Sequence, residues 1–128
     1  MKYFIIGVLL GVLSALAIEA NAHEMTPTYP KLRPSFFDGM YVTEMEIFNK
    51  REDVRYYELG VFDNEWKSIP FVSAYTILKV NYLDHVRFSV FIRKEDVSRA
   101  TYLCSRSKLR KDDSVRTAIT SRICSKFK

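Results

Sequence analysis

Glycine is scarce in this sequence: of four among 128 residues, only Gly39 and Gly60 lie beyond residue 22. Two isolated glycines cannot build a phosphate-cradling loop, a dinucleotide fingerprint or a nucleophile elbow, each of which needs glycines at fixed spacing. Histidine is rarer still. His23 and His85 are the only two, and neither stands at ligand spacing from the two cysteines, so no metal site is expected. His23-Glu24-Met25 lacks the second histidine of a zinc-protease helix, and His85 beside Asp84 reads as a surface turn residue. Glu44 and Glu46, two apart on an alternating segment, share one face and read as solvated carboxylates rather than an acid-base pair. No catalytic residue and no cofactor is expected; the chain reads as a non-enzyme.

Long apolar runs are absent after residue 22. Before it, Met1-Lys2 gives a short positive start, Tyr3 to Ile18 is almost uncharged, and Ala20-Asn21-Ala22 is a small-x-small cleavage site. That pattern is a secretory signal peptide over residues 1–22, with a membrane-retained anchor as the competing reading. The apolar stretch is short of the roughly 20 residues a spanning helix needs. Residues 23–128 then form one domain, too short for a two-domain enzyme, in the periplasm or outside the cell.

Positive charge is concentrated at one end. From Arg99 to Lys128 nine Lys and Arg face only Asp112 and Asp113, whereas His23 to Ser98 carries ten basic and twelve acidic residues. A secreted chain seldom meets nucleic acid, so this basic segment is expected to face an anionic envelope polymer, lipid head groups, an acidic protein or simply solvent. Cys104 and Cys124 lie within it, and in an oxidising compartment an even pair reads as a disulfide.

The rest alternates with period 2 and shows no helical stripe longer than two turns, which predicts an all-β domain. Pro27, Pro30 and Pro34 confine His23 to Pro34 to an arm or edge strand. Strands are expected over Gly39 to Phe48 (Tyr41, Thr43, Met45 and Ile47 on one face), Val54 to Asp63, Trp66 to Phe71, Thr76 to Tyr82, and a strand presenting Val86, Phe88, Val90 and Ile92. The last two, Ala100 to Ser107 and Val115 to Phe127, should form a hairpin. The cysteines are placed symmetrically about Ser114, so the disulfide would join neighbouring strands. About seven strands with turns every 8 to 12 residues fit an immunoglobulin-like β-sandwich. Tyr41, Tyr57, Phe88 and Tyr102 are assigned to its core, and Tyr56, Phe62 and Trp66 are left as a small exposed aromatic patch.

In the final strand Val115, Ile119, Ile123 and Phe127 share a face, an apolar-studded edge suited to β-strand addition, or else the last row of the domain's own core. Together with the leader, the strand ending Ile47-Phe48-Asn49, the Ile69-Pro70-Phe71 segment and Tyr102-Leu103-Cys104, the chain resembles the N-terminal immunoglobulin-like domain of periplasmic pilus (PapD-like) chaperones, with the second domain missing. The resemblance implies a non-enzymatic assembly factor whose last strand inserts Val115, Ile119 and Ile123 into an incomplete pilin-type subunit. Lys126, with Arg33 as its partner, would take the basic positions that anchor the subunit's terminal carboxylate. The other reading open at this point is a structural or adhesive immunoglobulin-like module whose basic C-terminal hairpin binds an anionic surface.

Overall fold

In a computed structural model that describes residues 23–108 and 120–128, the alternation becomes eight strands in two antiparallel sheets. They are β1 (Glu24–Thr26), β2 (Arg33–Pro34), β3 (Met40–Phe48), β4 (Tyr56–Phe62), β5 (Ile77–Lys79), β6 (His85–Arg93), β7 (Tyr102–Lys108) and β8 (Arg122–Lys126). The leader expected over residues 1–22, and residues 109–119 between the last two strands, lie outside the described residues.

In one sheet β3 pairs with β6 along its whole length, from Met40 opposite Arg93 to Phe48 opposite His85. Its other edge is shared: β1 lies against Glu46 to Phe48, and β2 against Tyr41 and Val42. That division follows from the prolines, which interrupt the arm and restrict it to short edge pieces. The second sheet runs β5-β4-β7-β8.

The faces that meet are those the period predicts. Thr43, Met45 and Ile47 of β3 and Phe88, Val90 and Ile92 of β6 pack towards Tyr57, Leu59 and Val61 of β4, Leu78 and Leu103, all of them buried. Each large apolar side chain removed from water contributes about 1.5–3 kcal/mol. This two-sheet core is an immunoglobulin-like sandwich.

A buried polar post stands beside it. Asn49, wholly inaccessible to solvent, donates from Nδ2 to the carbonyls of Val54 (2.7 Å) and Val80 (2.9 Å). Its Oδ1 accepts from the Arg51 amide at 2.9 Å and the Tyr57 hydroxyl at 2.6 Å. All four valences of the amide are thereby used. Burial pushes the Tyr57 phenol up to about 12, so its proton stays in place for that bond.

Two expectations are corrected. Trp66 to Phe71 is not a strand: Asp63 Oδ1 accepts the amides of Glu65 and Lys67, both at 2.9 Å, and winds a tight turn. Only a single bridge, Ser68 to Phe62, follows before Pro70, which has no amide to offer. Tyr102 is not a core residue either. It shares the outward parity of Cys104 and Arg106 and stacks on Trp66, ring centroids 4.2 Å apart and planes 2° from parallel. His85 is an exposed residue at the start of β6, with Nδ1 2.7 Å from Glu46.

Candidate functional site

The register of the last hairpin follows from its cysteines. Tyr102 faces Lys126, Cys104 faces Cys124 and Arg106 faces Arg122, so the strands are symmetric about Ser114 as their spacing predicts. Backbone bonds run from Ser107 N to Ser121 O and from Phe127 N to Thr101 O. Odd-numbered residues therefore form the hydrogen-bonded pairs, and Cys104–Cys124 occupies a non-hydrogen-bonded pair, where side chains approach most closely. The two Cα atoms are 4.0 Å apart and the disulfide is formed.

The same alternation directs the main-chain groups of Arg122, Cys124 and Lys126 away from β7, towards the free side of the sheet. There the N-terminal arm meets them part of the way. After pairing with β3 in the first sheet, the chain crosses at Thr26-Pro27 and joins the second: Lys126 N donates to Thr28 O at 3.1 Å and Lys128 N to Pro30 O at 3.0 Å. The Ser125 hydroxyl adds a bond to Pro27 O at 2.9 Å. The arm stops there. Among the described residues no backbone bond reaches Arg122 or Cys124 from that side, although β1 lies close to β8; among them the arm pairs with β8 from Lys126 onward and leaves it unpaired before.

Under this edge the sandwich is polar. His23, 1% exposed, places Nε2 2.7 Å from Ser105 Oγ and Nδ1 3.2 Å from Ser121 Oγ. Arg51 donates to Ser121 Oγ at 3.4 Å and pairs with Asp53. A neutral imidazole, with one donor and one acceptor nitrogen, satisfies both hydroxyls. Burial, with the nearby Arg51 charge adding to it, lowers the His23 pKa to about 4. The arm is thus pinned to the base of the hairpin by a ring that must stay uncharged.

Of the residues expected to bind a partner, Val115 and Ile119 lie outside the described residues. Ile123 points to the inner face, half-buried against the core. Lys126 is exposed on the outer face opposite Tyr102, and Arg33 is exposed on β2 opposite Val42, in the other sheet. His23 and Arg51 reach the base of this hairpin, and Asn49 accepts the Arg51 amide behind them; the sequence marks all three only as polar residues in an arm and a turn. Among the described residues no three His, Cys, Asp or Glu side chains gather to hold a metal, and no helix is long and apolar enough to cross a membrane.

No protein-family model and no curated protein matches the chain. Among solved structures, the crystal structure of the E. coli chaperone DraB matches with a TM-score of 0.62 at 12% identity, over 83% of this chain and 53% of that one. The chain spans about half the length of that chaperone, and at this identity the likeness is one of fold. The resemblance to a PapD-like chaperone drawn from the residues therefore holds as architecture: an immunoglobulin-like sandwich with a disulfide across its last two described strands.

Proposed function

We propose that the chain is a non-enzymatic, chaperone-like binding module of the periplasm or cell exterior that takes a strand of a partner protein along β8. The open main-chain groups of Arg122 and Cys124 carry this reading. An unpaired edge next to a closed one offers hydrogen bonds to an incoming strand and fixes where its pairing must end. The likeness to a chaperone fold supports the class of function. In this reading Ile123, with Val115 and Ile119 preceding it, supplies apolar contacts to an incomplete β-sandwich subunit. Lys126 and Arg33 supply positive charge for its terminal carboxylate. Signal cleavage after residue 22 would deliver residues 23–128 as the working domain.

Proline and glutamine at one position separate this from a role of charge. Arg122→Pro removes an outward donor and leaves the bonds between β7 and β8 intact, while Arg122→Gln removes only the cation. With full-length chain expressed in its native envelope and cross-linked there, the wild type and Arg122→Gln should co-purify the same β-rich partner and Arg122→Pro should not. Capture unaffected by proline, or abolished by glutamine, contradicts the proposal.

A further inference from the structure

The outer face of the second sheet holds a cleft lined on one side by the Arg122 side chain of β8. Its floor is Gly60, where a Cβ would lie 2.9 Å from the Phe62 ring, so the missing side chain is what lets that ring lie against its own strand. Phe62, Ser68, Glu58, Arg106 and Arg122 complete a hollow of about 260 Å³. The Asp63 turn holds Trp66 at φ 64°, a left-handed conformation that a bulky residue rarely adopts. Trp66 is stacked on Tyr102 and lies 4.8 Å from the Arg122 guanidinium carbon, yet remains 46% exposed. Tyr102 and Arg122 stand on either side of the Cys104–Cys124 pair in the register, and the indole contacts both.

The charges are sorted as well. Glu58 binds Arg106 at 3.1 Å and Lys108 at 2.5 Å, and its carboxyl is held below the usual range, first by the Lys108 hydrogen bond. One carboxylate thus serves two cations. Arg122 has an aromatic neighbour and no carboxylate partner among the described residues. The cleft therefore combines the Phe62 ring, a guanidinium that stacks on Trp66 and has no carboxylate partner among the described residues, a hydroxyl and a fixed carboxylate. At about 260 Å³ it falls just under the roughly 300–1,000 Å³ of drug-sized sites, room for a single ring.

We propose that this cleft binds one acidic sugar residue of an anionic polysaccharide. The sugar's C–H face would lie on Phe62, beside the Arg122 guanidinium that stacks on Trp66. Its carboxylate would be taken by Arg122 in the bidentate manner a guanidinium allows. Its hydroxyls would meet Ser68 and Glu58, which offer a donor and acceptors. An acidic peptide fits less well, because the hollow lies on a sheet face whose main-chain groups are already paired, and the Glu58 carboxylate opposes a second acidic group.

Trp66 is the only tryptophan in the chain, so its fluorescence reports this site without labelling. Tetragalacturonate added to the full chain should change that emission saturably. Arg122→Gln should weaken the response about tenfold or more, and Arg122→Lys, which keeps the charge and loses the fork, by a smaller factor. Maltotetraose, the neutral control, and hexaglutamate should both bind about tenfold or more weakly than tetragalacturonate. No saturable response, equal binding of maltotetraose or hexaglutamate, or a response unchanged in Arg122→Gln would overturn the proposal.

Discussion

His23 Nε2 lies 2.7 Å from Ser105 Oγ, a buried contact across 82 residues that joins the arm ahead of β1 to the middle of β7. Because burial lowers the ring's pKa from 6.5 to about 4, the unfolded chain binds a proton on acidification before the folded chain does. The stability this ring contributes is complete above about pH 6.5 and is lost as pH falls from there towards 4. The loss between pH 7 and pH 4 is about 3 kcal/mol. Urea midpoints measured from pH 7 to pH 4 should fall steeply in the wild type and more shallowly in His23→Asn. Parallel curves would show that the ring is not held neutral.

The disulfide closes a loop with a sequence separation of 20. In the chain-entropy model that constraint is worth about 3 kcal/mol, a large share of a small domain's stability. The double replacement Cys104→Ser with Cys124→Ser should lower the unfolding free energy by about that amount and leave the far-ultraviolet spectrum β-rich. A loss below about 1 kcal/mol would mean that the hairpin register is held by its packing alone.

Asn49 and Tyr57 should behave unequally although they share a bond of 2.6 Å. Tyr57→Phe removes one hydroxyl and leaves an acceptor that still receives the Arg51 amide, for a cost of about 1 kcal/mol. Asn49→Ala strands the carbonyls of Val54 and Val80 and the Tyr57 hydroxyl in the interior, for about 3 kcal/mol or more. Denaturant melts of both variants give the comparison, and equal costs would contradict the geometry.

Strand positions and inward parity were legible wherever period 2 coincided with apolar residues, as in Thr43-Met45-Ile47 and Phe88-Val90-Ile92. The hairpin register was legible from two cysteines alone, since an antiparallel pair must be symmetric about its turn. Tyr102 was misplaced for a physical reason: on the outer face its ring is itself covered by Trp66, so an aromatic residue there imitates a core position. Asn49 was hidden inside a polar turn, because its value depends on Tyr57 and on Val80, 31 residues away. The closure of β8 by the arm was equally hidden. It rests on backbone bonds from Thr28 and Pro30, which side-chain patterning does not encode.

Amide hydrogen exchange along β8 in the free chain tests the open edge most directly. Ile123, Ser125 and Phe127, paired with β7, and Lys126 and Lys128, covered by the arm, should exchange slowly, while Arg122 and Cys124 between them exchange fast. An alternating pattern that becomes uniform protection when the partner is added is the expected result. Slow exchange at Arg122 and Cys124 in the free chain would mean that the edge is already filled, and would contradict the account.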